Sequence, residues 1–267
     1  MTLRGLGFDP LRPLGALLFL GLWQAASASM APIMLPSPWS VVKRASADFW
    51  SAPSLAYYGV EDPSLFGNLV YTSENVAIAV LVGASLGALV GLAASRVWLV
   101  RALVNPIMLT AGTAPIIIAA PFLLIWFGVG RASAVSLVAF YVATILYLFA
   151  ERAARNLDPI YEHSALTLGA DPRRLIRDIL IPATVPELLG GFRIALAGAW
   201  GLEAVSELLG AQSGIGKVLE VLAGATDAQG ILASLILLGV VALAADACAA
   251  ALIARFAAWS AAGAQRL

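Results

Sequence analysis

The chain has 267 residues, 61% of them hydrophobic and 12% charged, with a mean hydropathy of +0.90; a soluble domain carries about a quarter charged residues, so the profile is that of a membrane protein. Sixteen basic and sixteen acidic side chains cancel, which leaves no whole-molecule electrostatic case for binding nucleic acid. A single cysteine, Cys248, excludes an internal disulfide or a thiolate metal cluster, and one histidine without clustered metal ligands is too thin an inventory for a membrane enzyme.

A helix needs about 20 apolar residues to cross the hydrocarbon core, because unpaired backbone groups cannot be left in lipid. Five or six stretches qualify, near 13–33, 75–95, 104–127, 132–151, 187–209 and 229–256. The first ends near "ASASMAP", a loose match to a cleavage site after too long an apolar run, and reads as a retained span. Between Leu35 and Glu74, "SPWSVVKRASADFWS" has tryptophans and apolar residues at helical spacing. It reads either as a helix lying along the membrane surface or as a connecting helix packed on the ends of the spans.

In the second span Gly83, Gly87 and Gly91 form a ridge for close helix contact. In the third, Pro115 and Pro121 break backbone bonding and mark a kinked helix suited to line a pathway.

Beyond the fourth span comes "YEHSALTLGADPRRLIRDILIPATVP", residues 161–186, with six charged side chains besides His163. Asp158-Pro159 is an N-cap followed by proline at the first helical position, and Gly169 suits the left-handed residue that ends a helix. Asp171-Pro172 repeats the start signal, and the second helix is predicted to stop before Pro182. Short isolated helices are marginal in water, so such a hairpin needs something to dock on. Leu166, Leu168, Leu175, Ile176 and Ile179 would face the bundle or a partner and the arginines the solvent.

Span five carries Glu203 and Glu207 one turn apart on one face, facing the bundle or the outer mouth, or else lying at the headgroups. Arg193 on the same span is a potential partner for Glu207 from a second copy, and Trp126, Phe192 and Trp200 are candidate aromatic contacts. "AQSGIGKV", Ala211–Val218, falls short of a phosphate loop: Ala211 replaces the first glycine and Val218 the magnesium-binding hydroxyl residue. It reads as a loop folding back toward the pathway. Asp246 in span six requires a partner.

With six spans and a cytoplasmic N-terminus, Arg4, Arg12, Arg96, Arg101, Arg152, Arg155, Arg173, Arg174, Arg177, Arg255 and Arg266 fall inside, and Lys43, Arg44, Arg131 and Lys217 outside. That bias sets the hairpin in the cytoplasm.

Here the sequence resembles a family. "HSALTLGA" followed by "ILIPATVP" is similar to the cytoplasmic EAA signature of permease subunits of type I ABC importers: EAA, three residues, glycine, and about a dozen residues later a proline in an LP pair. "MLPSPWSVV", "TAPIIIAAPFLLIWFGVG", "GGFRIALAGAW" and "SELLGAQSGIG" resemble, in order and spacing, the permeases of the nitrate, sulfonate, taurine and bicarbonate group. The resemblance implies an all-α polytopic bundle, one permease domain over 1–267 with a coupling loop at 158–186. It implies coupling residues Glu162, His163, Ser164, Ala165, Gly169, Ala170, Asp171 and Pro182 that meet a separate ATP-binding subunit. Pro115, Pro121, Arg193, Trp200, Glu203 and Glu207 are the candidate pathway residues by their cost or chemistry within the spans; Glu207 is similar to a position usually acidic in the family, and Glu203 is an addition to it.

One departure stands out: His163 occupies the motif's glutamate position, Ser164 its first alanine, and a glutamate comes one place early at Glu162. One residue turns a helical side chain by about 100°, so His163, making a neutral hydrogen bond, is the expected replacement. The resemblance further implies no cofactor in this chain, ATP and magnesium being held by two copies of the ATPase. It also implies a second permease copy forming a dimer, an external substrate-binding protein, and the bacterial cytoplasmic membrane. The absence of a detectable inverted repeat argues against a stand-alone secondary transporter.

Overall fold

The computed structural model describes residues 11–256, and every regular element among them is helical. In order these are α1 (Leu11–Ser29), α2 (Pro38–Asp48), α3 (Pro53–Tyr57), α4 (Leu65–Arg96), α5 (Trp98–Thr113), α6 (Ala120–Phe127), α7 (Arg131–Arg155), α8 (Pro159–Thr167), α9 (Pro172–Arg174), α10 (Ile181–Gly210), α11 (Ile215–Gly224) and α12 (Ala228–Phe256).

Four helical stretches are long and apolar enough to cross a bilayer: 65–96, 131–155, 172–210 and 228–255. A fifth is reached only if α5 and the segment 116–127, bent by 107°, count as one span. The first expected span, 13–33, corresponds to α1, whose apolar run Pro13–Ser29 is too short to count with these. The count among the described residues is therefore four or five, against the five or six expected. Arg4, Arg266 and the side chain of Arg12 lie outside the described residues, as does the N-terminus whose side was expected.

The kink expected in span three is a break. Ala114 is extended, as a residue before proline tends to be, and Pro115 offers no N–H to carry α5 onward. Pro121 stands in the first turn of α6, where a missing N–H costs nothing, and so begins a helix.

The second correction lies at Pro182. The helix beginning at Pro172 does not stop there: it widens into a π-helical stretch over Leu175–Leu180 and continues as α10 through Pro182 and Pro186 to Gly210. The wide turn, in which the N–H of Ile181 reaches back to the carbonyl of Ile176, makes room for a proline ring that a regular turn would reject.

The glycine ridge of α4 lies against α7. A Cβ added at Gly83, Gly87 or Gly91 would fall 2.4, 2.3 or 2.6 Å from the carbonyl oxygens of Ala139, Ala143 and Tyr147 in turn. The matched steps of four make the two helices parallel and bring their backbones into contact, with α5 and α6 forming the return. Helix α10 runs antiparallel to α7, Gly191 opposite Phe149 and Gly198 opposite Tyr141. Val76, Val138, Val142, Leu146, Ala199 and Trp200 meet between these three helices as the main core.

Helix directions then gather Arg96, Arg101, Arg155 and α8 at one end of the bundle, and α2, α3, α11 and Arg131 at the other. Helix α2 follows the connecting-helix reading of its sequence. It packs on the start of α12, with Val41 buried, Arg44 bonded to Asp227 at 3.2 Å and Gln229 Nε2 donating to the Ser40 carbonyl at 2.6 Å. Trp39 on this helix and Trp50 just beyond it remain 75% and 72% exposed.

Candidate functional site

Residues 158–186 build the hairpin that the local signals predict up to Pro182. The Asp158 carboxylate accepts from the N–H of Ile160 at 2.9 Å and caps α8, with Pro159 at its first position. Gly169 has φ +81°, and the N–H of Ala170 reaches the Ala165 carbonyl at 3.0 Å, closing the helix with a left-handed turn. Asp171 then caps the next helix through the N–H of Arg174 at 2.7 Å. Ala165 is buried, whereas Ile160, Tyr161 and Leu166 are exposed and Leu168 is 88% exposed. An apolar tip thus projects from the end of the bundle.

The histidine expectation is corrected here. His163 is exposed and its side chain makes no hydrogen bond among the described residues; only its carbonyl is used, by Thr167 Oγ1 at 2.8 Å. Glu162 instead pairs with Arg96, in the last turn of α4. That guanidinium holds the Glu162 carboxyl below the usual range. The end of α4 comes to the 162 position of the short helix and not to the 163 position, which decides between the two. Ser164 is exposed beside His163.

At the opposite end, span five holds a buried polar knot. Glu207 and Glu203 share a face of α10 as their spacing requires, and both are 0% exposed. One Glu207 oxygen accepts from Thr72 Oγ1 and from the N–H of Gly216, each at 2.9 Å, while the other faces Asn75 Nδ2 at 3.4 Å. The N–H of Ile215 donates to Thr72 Oγ1 at 2.9 Å and that of Gly214 to Asn68 Oδ1 at 2.8 Å. Three consecutive N–H groups at the start of α11 are thereby satisfied by α4 and α10, and a carboxylate stands at a helix N-terminus, where the dipole favours it. "AQSGIGKV" folds back onto its own glutamate, with Lys217 paired to Glu220 at 2.9 Å.

Both expected roles for Glu207, a partner for Arg193 or a place at the rim, give way to this cap, because α11 returns beneath the end of α10 and needs an acceptor there. The headgroup reading of the acidic pair fails for the same burial. Arg193 pairs within the chain with Asp246, Nε and Nη2 meeting its two oxygens at 2.9 and 2.6 Å. Trp200 and Glu203 point into the core, and neither oxygen of Glu203 nor the indole N–H of Trp200 finds a partner among the described residues. Of the expected pathway residues, only Arg193 combines a charge with an open surface on the span; Phe192 is half-buried, and Trp126 is exposed on α6.

Sequence reasoning missed Asn68, Thr72 and Asn75. Their signal is present all the same: three polar side chains at intervals of four and three, on one face of the helix.

The chain is thus a multi-pass helical bundle with a capped, apolar-tipped hairpin at one end and a re-entrant loop knotted at the other. The chain belongs to the family described as "Binding-protein-dependent transport system inner membrane component", which matches residues 80–259. It is 25% identical over 206 residues to the taurine transport system permease protein TauC of Escherichia coli (strain K12), covering 77% of this chain and 73% of that one. It is 27% identical over 229 residues to the formylaminopyrimidine transport permease protein ThiX of Halalkalibacterium halodurans, covering 83% and 84%. The fold is similar to that of an inward-facing MetNI methionine ABC transporter chain, with TM-score 0.59 and 20% identity over 71% of this chain and 96% of that one. The chain is thus a permease subunit of an ABC importer, and its relatives are transport permeases, not enzymes.

Proposed function

We propose that this chain, as a single permease domain over 1–267, forms half of a translocation pathway and transmits the work of a separate ATP-binding subunit through residues 158–186. The observation that carries the reading is the apolar tip of Ile160, Tyr161, Leu166 and Leu168 on a hairpin fixed to α4 by the Glu162–Arg96 pair. A surface of that kind is costly in water and is suited to a cleft on a partner. Glu162, Ala165, Gly169, Ala170 and Asp171 shape the hairpin, and Pro182 lies where it joins α10. His163 and Ser164 are presented to the partner.

In this account two copies of the chain pair as a dimer and two ATPases dock on the cytoplasmic hairpins. ATP and magnesium are held by those subunits and no cofactor by this chain. An external binding protein delivers the solute, the N-terminus is cytoplasmic, the complex sits in the bacterial inner membrane, and no nucleic acid is involved. The solute is a small anion such as a sulfonate, taurine, nitrate or bicarbonate. Glu207, engaged as a cap, and Glu203, buried in the core, present no acid to an anion on the open face. A neutral aromatic precursor is the second reading, favoured by the similarity to the formylaminopyrimidine permease.

Gly169→Val tests the coupling role. The site has room for a side chain, but φ +81° is strained for a β-branched residue. The expected result is a protein that inserts normally and no longer co-purifies with its ATP-binding subunit. An intact complex would count against the role of the hairpin.

A further inference from the structure

The Arg193–Asp246 pair lies six residues beyond Glu187 on α10 and nine before Arg255 on α12, about 9 and 14 Å of helix rise inside those flanking charges. It is not packed away: the two side chains keep 46% and 34% of their exposure. Around it Gly190, Ile194, Ala197, Ala242 and Leu243 leave an open groove of about 530 Å³ on the α10–α12 face. Charged groups inside a span face protein or water in preference to lipid, so this face is turned away from the hydrocarbon. A guanidinium has five N–H donors; Asp246 takes Nε–H and one from Nη2, and among the described residues no other acceptor reaches Arg193. Directed donors therefore remain open in a groove whose size is that of small-ligand sites.

We propose that this groove is a binding point on the translocation route for a solute carrying a sulfonate or carboxylate, the acid group taking the guanidinium N–H groups that Asp246 leaves open. The inference rests on the permease reading and deepens it by naming the contact. Asp246 has two functions here. It fixes the plane of the guanidinium, and it offsets the cationic charge, so that a passing anion is held by hydrogen bonds without being trapped, as a transport site requires.

The test uses the full-length chain in membrane vesicles, with Cys248→Ala as background and Ala197→Cys, one turn from Arg193 on the groove, as reporter. Its rates of modification are compared for an ethylsulfonate and a trimethylammonium methanethiosulfonate, matched reagents of opposite charge. The proposal expects both to react from water, with the ratio of anionic to cationic rates falling about fivefold in Arg193→Gln/Asp246→Asn, a neutral pair that lacks the open guanidinium N–H donors. Asp246→Asn alone should raise that ratio. Two results would overturn the proposal: no reaction with either reagent, as when lipid or a second copy covers the groove, or a ratio indifferent to the double variant. Co-purification of the ATP-binding subunit from the same vesicles keeps the two readings apart. Charge preference missing with the subunit retained removes the groove alone, and a lost subunit with unaltered hairpin removes the permease coupling.

Discussion

Gly87→Val is expected to lower the apparent Tm of the purified chain in mild detergent by about 10 °C, the equivalent of roughly 3 kcal/mol for a chain of this size. A Cβ at this position would lie 2.3 Å from the Ala143 carbonyl oxygen and 2.8 Å from its Cα. Those are backbone atoms, and no rotamer change relieves them. Helices α4 and α7 would have to separate, losing contacts along the matched ridge at Gly83 and Gly91 and opening the core around Val142. Within a membrane this is costly because close packing, and not the expulsion of water, is what holds helices together. Gly239→Ala is the control: its Cβ meets nothing within 4 Å, and it should leave the Tm unchanged or raise it slightly by removing a helical glycine. Equal behaviour of the two variants would refute the close contact of α4 with α7.

The second large effect is expected at Glu207→Ala. Removing the carboxylate leaves the Thr72 hydroxyl and the Gly216 N–H without an acceptor in a buried place, each orphaned group costing about 1–3 kcal/mol. Gly216 cannot retreat, since it is packed on the Ala204 carbonyl and the Leu208 nitrogen. The loop at 211–216 should therefore loosen as a unit, and amide hydrogen exchange at Gly214, Ile215 and Gly216 should rise by an order of magnitude or more. Glu207→Gln should fall between, because its amide oxygen can still accept from Thr72 and Gly216 while its NH2 group would face the Asn75 Nδ2 donor in place of the second carboxylate oxygen. If exchange in the loop is unchanged by the alanine, the carboxylate is not what holds it.

These two positions mark what could and could not be read from the chain. The ridge was legible because three glycines four residues apart have no better use in an apolar helix. The hairpin was legible from Asp158-Pro159, Gly169 and Asp171-Pro172, whose capping geometry is local. Local rules failed where a neighbour settled the matter. Pro182 looks like a stop until the preceding π-helical stretch makes room for it, and Pro115 gives no sign whether the chain resumes in line or turns by 107°. Helical rotation argued for His163 over Glu162, but the choice belongs to Arg96, 66 positions away from Glu162 in the sequence. Glu207 and Glu203 were found as a costly pair on one face; their direction depends on Asn68, Thr72 and the return of α11, contacts that no spacing within α10 encodes.

The central claim is that the hairpin at 158–186 is the seat of an ATP-binding subunit on the cytoplasmic side. Leu168, at its exposed tip, is the place to measure it. With Cys248→Ala as background, Leu168→Cys should react with a membrane-impermeant maleimide in inside-out vesicles and not in sealed right-side-out ones. Addition of the ATP-binding subunit should slow that reaction by about tenfold or more, the extent expected for a side chain buried in a specific interface. Labelling from the exterior, or a rate indifferent to the ATP-binding subunit, would contradict the account.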